Sequence, residues 1–365
     1  MKILYLAKAY PPETGGVETY SEQVAMAYAR AGHEVTVVTT HPGAVGEEMR
    51  GGVKVTNVGD HGSQAAIFGR MARHLWSLRH EPFDAVHATT WRVSLPALLL
   101  RRGLPMVLTI HGREVFVVPK PLRPMMMRAL RHADHLPTVS QPILDKFEQD
   151  LGFRLKGAFS NWNGISFEEE SGQPHDKPAG MVLFCMCRLV ARKNVDGAIR
   201  AVAELVGRGH DITFRIAGGG EEADSLAALV RELGMEEHVT LLGRVPDEDI
   251  QPLYRGSHIF LHPQIATRSG QDMEGFGLTI ADAMSFGCVP VAGASGGPLD
   301  FIRNGETGYL VDGTKTGEIV TALERLITDP AHREALAAAA RDFALAQLTW
   351  DAHARKILER LAPTA

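Results

Sequence analysis

Cysteine is scarce in this chain of 365 residues, which has three. Three thiols cannot build a disulfide framework. Cys185 and Cys187 stand two apart in one apolar run, and Cys288 follows a glycine. Thiols used this sparingly fit a reduced compartment, so a cytoplasmic location is expected. No Cys/His cluster has the spacing of metal ligands, so a zinc site is not expected. Long hydrophobic runs are missing too. No stretch reaches about 18 apolar residues, so no membrane-spanning helix is expected. The apolar start, Ile3–Leu6, soon meets Pro11 and Pro12 and reads as a first buried strand, not a signal peptide. An excess of positive charge is also absent. The net charge of −5 argues against a nucleic-acid partner. Basic and acidic residues nearly balance over residues 1–170, so the acidic excess lies in the remainder.

What is present is apolar content of 45% beside 22% charged residues, the balance of a globular protein with a large core. The length suits two or three domains. Ile3–Leu6, Val35–Val38, Val53–Val58, Ala85–His87, Met106–Ile110, His135–Val139 and Lys156–Phe159 read as strands. Helices are expected between them at 16–30, 64–79, 93–102 and 142–151. Ser171–Gly180 is polar, rich in Pro and Gly, and reads as a linker. The alternation restarts with Val182–Cys187 and runs through Thr213–Ala217, Val239–Leu242, Ile259–His262, Val289–Ala292 and Tyr309–Val311. Residues 317–361 read as helical. Continuous apolar strands alternating with helices predict parallel sheets covered on both faces. The expected fold is α/β, with two Rossmann-like, doubly wound domains facing across a cleft. The first spans 1–170, with a last helix (346–365) packing back on it. The second spans 178–345.

The stretch from Glu274 to Asp282 carries the most chemistry. Gly275 and Gly277 break regular structure after the apolar run Ile259–Leu261, and a helical pattern then runs to Gly287. A glycine-rich loop opening a helix offers unpaired amides and the positive end of the helix dipole, which suits phosphate. Two carboxylates beside an anion site suit hydroxyl groups instead, and a nucleotide sugar carries hydroxyls on both sides of its diphosphate. Gly15 and Gly16, between the first strand and first helix, allow another close backbone approach, although a plain turn would look the same. Arg188 and Lys193 flank a helix start, where cations oppose the dipole, so an anion should compensate them. His111 and Gly112 follow a strand end, and His87 is a second candidate at another. Gly218-Gly-Gly-Glu-Glu-Ala223 fits the dinucleotide fingerprint and supports a rival reading as an NAD-dependent oxidoreductase. Against that reading, Glu221 and Glu222 stand where a pyrophosphate should dock. Arg70, Arg73, His74, Trp76, Arg79 and His80 form a basic helix that could meet anionic lipid, or simply face solvent. Residues 266–272 are polar and read as a specificity loop or a surface excursion.

Taken together, the chain resembles the retaining glycosyltransferases of family 4, the GT-B enzymes also called group 1. The resemblance rests on Pro11–Glu18, His111-Gly112, Ala133–Ser140, Asn163-Gly164, the Arg188/Lys193 pair, the Gly218 turn, Leu241–Ile250, Glu274–Met284 and the segment from Gly296 to Val311. It implies a metal-independent hexosyl or N-acetylhexosaminyl transfer with retention, a UDP-sugar as first expectation and GDP-mannose as second. By position, Glu274 holds sugar hydroxyls, Asp282 holds ribose, and Arg188 and Lys193 neutralise the diphosphate. Gly15, Gly16 and the backbone of Gly275, Phe276, Gly277, Leu278 and Thr279 meet phosphate or sugar. Gly218, Arg244 and Val245 border the nucleotide, and His111 lies beside the reacting sugar. The N-domain takes the acceptor, which is a sugar, a lipid-linked sugar or a small molecule. Peripheral contact with the inner face of a membrane is a further expectation. Asp282 replaces the family's second Glu and is about 1.5 Å shorter. If it faces ribose, Asp282→Glu should be tolerated. A third possibility is a homologue that binds nucleotide sugar without catalysis.

Overall fold

The computed structural model describes residues 1–13, 15–98, 103–167, 177–267 and 270–362. They form two compact units: Met1–Gly164 with the segment from Trp350 onward, and Ile165–Thr349.

The first unit holds strands β1 (Lys2–Ala7), β2 (Glu34–Thr39), β3 (Gly46–Arg50), β4 (Val53–Asn57), β5 (Ala85–Ala88), β6 (Met106–Leu108), β7 (Leu136–Thr138) and β8 (Ala158–Ser160). Six of them make one sheet in the order β3-β4-β2-β1-β5-β6, and β7 pairs with β8. Its helices are α1 (Gly16–Arg30), α2 (Gln64–Ser77), α3 (Trp91–Leu98), α4 (Arg113–Phe116), α5 (Arg123–His132) and α6 (Gln141–Leu151). The end of the helix expected at 93–102 lies outside the described residues. Helix α1 buries Tyr20, Val24, Ala27 and Tyr28, the spacing of one helical face. Every pairing in the large sheet is parallel except that of β3 with β4. Strand β3, Gly-Glu-Glu-Met-Arg, is exposed along nearly its whole length, so no apolar pattern announces it.

The second unit holds β9 (Met181–Met186), β10 (Ile212–Ala217), β11 (Val239–Gly243), β12 (Ile259–His262), β13 (Val289–Gly293) and β14 (Tyr309–Val311), in the order β11-β10-β9-β12-β13-β14. All pairings are parallel. Its helices are α7 (Val195–Gly207), α8 (Ala223–Glu232), α9 (Asp247–Arg255), α10 (Leu278–Ser285), α11 (Pro298–Phe301), α12 (Thr316–Thr328) and α13 (Pro330–Gln347). Leu183, Phe214, Ile259 and Val289 on the strands and Ile199, Val202 and Leu323 on the helices are fully buried. Each such side chain contributes roughly 1.5–3 kcal/mol.

The boundaries differ from those expected at 170, 178 and 345. The division falls at Gly164/Ile165, because Ile165 donates its N–H to Leu348 O at 2.9 Å and so joins the second unit. Much of the linker read at Ser171–Gly180 lies outside the described residues. Lys177, within it, is part of the second unit's packing, with its ammonium on the carbonyls of Ser257 (2.6 Å) and Phe286 (3.0 Å). The last helix, α14 (Trp350–Leu361), starts later than the expected 346 because α13 continues to Gln347. A Cβ on Gly164 would overlap the Trp350 backbone, so this crossing of two chain segments requires glycine.

Candidate functional site

In the second unit β9 lies between β10 and β12, and the crossovers that follow β9 and β12 run in opposite directions along the sheet. At such a switch point the loops beyond the strand ends part and leave a crevice. The loop after β9 runs through Arg188 to a 3-10 turn at Ala191–Lys193. Pro263 follows β12, and Glu274 stands before α10. Asn194 fastens the loop after β9 to Pro263. It holds a left-handed conformation (φ 53°), and its amide donates to Pro263 O (2.9 Å) and Gly313 O (2.6 Å). Ile265 N–H donates to Arg192 O at 2.9 Å.

This stitching sets two cations on one carboxylate. Lys193 Nζ pairs directly with Glu274 Oε2, and Arg192 Nη1 lies 3.1 Å from the same oxygen. Arg192 Nε also reaches Asp272 Oδ1 at 3.3 Å. Burial pushes the Glu274 carboxyl up, but the charges of Lys193 and Arg192 outweigh this and hold it well below the ordinary carboxylate range. Glu274 is therefore ionised at neutral pH. Two carboxylates face two cations, so the cluster is electrically balanced by its own side chains. An arriving diphosphate can take over cations that the carboxylates now occupy, leaving Glu274 to accept hydrogen bonds from hydroxyls. Arg192 was not among the expected residues, although its place beside Lys193 was a usable signal.

Gly277 starts α10 in the left-handed region (φ 98°), and Ile280 and Ala281 both donate to its carbonyl. The first amides of a helix have no partner inside it, so Leu278 and Thr279 carry N–H groups suited to an anion. The Phe276 side chain is 3% exposed and packs on Phe301 at 4.9 Å, which leaves backbone as the part able to meet a ligand. The shape of this loop depends on a second one. Gly297 N–H donates to Glu274 O at 2.9 Å, and a Cβ on Gly296 would overlap that carbonyl. Gly296 and Gly297 thus frame Glu274.

Asp282 is buried on α10. It accepts Ser166 N–H at 2.6 Å and the Ser166 hydroxyl at 3.0 Å. Burial raises its carboxyl to about 7, with the Ser166 bonds pulling the other way. Arg188 is exposed, unlike buried Lys193, so the two expected partners occupy different surroundings. Arg244 is exposed and Val245 half-buried just beyond β11. Gly218 N–H is taken by Gly243 O at 2.7 Å, and a Cβ on Gly218 or Gly220 would overlap the carbonyls of Cys187 and Leu189. Gly218 and Gly220 thus serve the approach of backbone to backbone. The three cysteines are free and buried.

In the first unit His111 follows β6. Its Nε2 lies 3.0 Å from Thr89 O, and a carbonyl only accepts, so Nε2 bears the proton and Nδ1 is the acceptor. Burial pushes its pKa down, which keeps the ring neutral. Tyr20 meets it edge-on at 4.7 Å. His87, the other candidate, is a core residue. It is fully buried between the Tyr28 hydroxyl (3.0 Å) and the Thr109 hydroxyl (2.8 Å). Gly15 and Gly16 are exposed at the start of α1, with the Glu18 carboxylate folded over Gly15. Thr14, in the same motif, lies outside the described residues, as do positions 268 and 269 of the 266–272 loop. On α2, Arg70 is not a free surface cation. Its guanidinium holds the carbonyls of Val58 (2.9 Å) and His61 (2.7 Å). Trp76 is 58% exposed, with Arg79 over its ring at 5.1 Å. Among the described residues no helix is long and apolar enough to cross a membrane, and no group of three or more His, Cys, Asp or Glu could hold a metal ion.

Two α/β units built on largely parallel sheets, one with a carboxylate among cations at a glycine-framed helix start, define the GT-B class of transferase. Solved structures share the fold. A glycosyltransferase from Rickettsia africae aligns with TM-score 0.80 at 16% identity, over 99% of this chain and 97% of that one. Anabaena HepE, solved with UDP, aligns with TM-score 0.77 at 20% identity, over 99% of both. Residues 166–343 match the model of glycosyl transferases group 1, and residues 15–156 match a glycosyl transferase 4-like domain. The chain is 29% identical to the GDP-mannose-dependent alpha-(1-6)-phosphatidylinositol monomannoside mannosyltransferase of Mycolicibacterium smegmatis, over 99% of this chain and 98% of the relative. It is 28% identical to the D-inositol 3-phosphate glycosyltransferase of Rhodococcus jostii, over 97% and 86%. The chain belongs to the group 1, family 4 glycosyltransferases, and is a hexosyltransferase that uses a nucleotide-sugar donor.

Proposed function

We propose that the chain moves a mannosyl group from GDP-mannose to a hydroxyl of a lipid-linked or inositol-bearing acceptor, with retention and without a metal. The observation that carries this reading is Glu274 held by Lys193 and Arg192 at the switch point of the second unit. GDP-mannose moves ahead of a UDP-sugar because the M. smegmatis relative, matched over nearly its whole length, is named for that donor.

In this reading Glu274 accepts from hydroxyls of the donor sugar, and Lys193, Arg192 and Arg188 neutralise the diphosphate. The amides of Phe276, Gly277, Leu278 and Thr279 assist. Arg244 and Val245 border the base, and Asp282 contributes to ribose through Ser166. The roles that the family resemblance implies for Gly15, Gly16 and His111 stand as part of the same proposal. The bond between the anomeric carbon and the β-phosphate oxygen breaks, and its electron pair stays on that oxygen. The acceptor oxygen attacks from the same face, and its proton passes to the departing phosphate. Cations preorganised at that phosphate stabilise the charge as it develops. Exposed Trp76 with Arg79 suits the interface of an anionic membrane, where such an acceptor would lie.

The test is a donor panel with product analysis. GDP-mannose should give an α-linked product by NMR, in EDTA as well as without it. Transfer from UDP-sugars alone would reverse the donor assignment. A β-linked product or strict metal dependence would overturn the mechanism. Nucleotide binding with no product from any donor would mark a non-catalytic homologue.

A further inference from the structure

Behind Lys193 lies a row of buried polar groups that no part of this reading has used. Gln264 is 1% exposed and fully committed. Its amide nitrogen donates to Gly293 O (2.8 Å) and Ser295 O (3.2 Å). Those two bonds fix which end of the amide is oxygen. That oxygen accepts from Gly293 N–H at 3.1 Å and lies 2.8 Å from His262 Nδ1. An amide oxygen cannot donate, so Nδ1 carries the imidazole proton. His262 Nε2 is then a lone pair, and it faces Lys193 Nζ at 3.4 Å. The imidazole is 1% exposed and lies parallel to Phe260, with ring centroids 6.1 Å apart. The ring therefore has neither the space nor the tautomeric freedom to turn away.

We propose that His262 is a positioning residue for the transfer: held by Gln264 with its proton on Nδ1, it presents Nε2 to the Lys193 ammonium and keeps that cation in place while its other hydrogen bonds change partner. The inference rests on the reading that Lys193 serves the diphosphate. An ammonium has three N–H groups. One is committed to His262, and the remaining two can move from Glu274 to a phosphate oxygen without the nitrogen leaving its place. The chemistry favours a neutral anchor here. A carboxylate at position 262 would hold Lys193 as firmly but cancel the charge the diphosphate needs. The Lys193 stem alone would let the ammonium follow Glu274. Around this row stand Glu274, Arg192 with Asp272, the Cys187 thiol, which faces His262, and the Cys185 thiol beside it.

The test is a double-mutant cycle read by GDP affinity and by kcat and KM for the donor, with thermal melts to show folding. His262→Asn places its polar atoms near Nδ1 and cannot reach Lys193. His262→Gln reaches the Nε2 position with an oxygen acceptor. His262→Asn should lower kcat/KM by about ten- to hundredfold, the range for a lost hydrogen bond to a charged group. His262→Gln should recover most of that loss. His262→Asn should add little in a Lys193→Met background. Equal losses for Asn and Gln, or the same loss with and without Lys193, would overturn the positioning role while leaving the site intact. If Lys193→Met itself changes neither GDP affinity nor transfer, the reading of the site fails and this inference with it. Long-range 15N NMR of the His262 ring supplies an independent readout. A proton on Nδ1 is expected, and a proton on Nε2 would overturn the proposal whatever the kinetics.

Discussion

Ser166 gives both of its donors to Asp282, the backbone N–H at 2.6 Å and the hydroxyl at 3.0 Å. The pair joins the first residues of the second unit to α10, which opens at the Glu274 loop. Because burial raises Asp282 to about 7, the folded protein binds a proton there that the unfolded chain gives up near pH 4. The sign follows. The contribution of Asp282 is fully present below about pH 4 and is lost as pH rises through about 7. Asp282→Asn keeps an acceptor for the Ser166 N–H without the ionisation. Urea melts should show the variant gaining on the wild type from pH 4 to pH 8, by on the order of 4 kcal/mol. A constant difference would show that Asp282 titrates normally. Asp282→Glu, tolerated if position 282 only faces ribose, should instead cost about 1–3 kcal/mol, because the extra methylene has no room against Ser166.

Much of this is legible in the sequence alone. Strands such as Val35–Val38 and Ile259–His262 announce themselves because parallel strands buried on both faces are continuously apolar. Strand β3 does not, because an exposed edge strand carries no such pattern. Glu274 and Lys193 could be picked out from glycine placement and from charge opposed to a helix dipole. Their direct pairing could not, since it depends on two loop residues 81 positions apart meeting at a switch point. His262 and Gln264 were hidden for a related reason. Each looks like an ordinary strand-end residue, and only the direction of every hydrogen bond reveals the row they form. The sequence offers Asp282 only as a hydroxyl-binding carboxylate, because its partner, Ser166, lies 116 residues away.

Gly296 tests whether the frame around Glu274 matters. Its φ is +73°, and a Cβ would overlap the Glu274 carbonyl, which is backbone and cannot swing aside. Gly296→Ala should therefore shift the loop from Glu274 to Phe276. The expected cost is about 1–3 kcal/mol in stability, from a side chain in a left-handed conformation. Transfer should fall more than GDP affinity does, since Glu274 moves while Lys193 keeps its own anchor. Nucleotide titration and initial rates on the same preparation check this. Equal falls in both would mean that the whole site has collapsed.

The α2 surface gives a separate prediction. Trp76 and Phe68 are exposed on a helix that also carries Arg73. Trp76→Ala with Arg73→Ala should weaken sedimentation with vesicles containing phosphatidylserine or phosphatidylinositol, and 0.5 M salt should weaken it for the wild type. Transfer to a soluble acceptor should be unchanged. Binding to neutral vesicles that ignores both substitutions would point away from this surface.

Glu274 and Lys193 should respond in opposite ways to loss of charge. Removing either member leaves the enclosed cluster one charge out of balance, at up to about 3–5 kcal/mol in stability. The ligand then decides the outcome. In Glu274→Gln, Lys193 loses its carboxylate and Arg192 keeps only Asp272, so a diphosphate becomes their best counter-ion, and GDP should bind at least as tightly as to the wild type. Transfer should still fall by about 100-fold or more, because the carboxylate that holds the sugar hydroxyls is gone. In Lys193→Met the diphosphate loses a cation while Glu274 remains, so GDP affinity and transfer should fall together. Calorimetry with GDP alongside initial rates separates the two patterns. If GDP affinity drops equally in both variants, the pair is a structural unit and the exchange of partners does not occur.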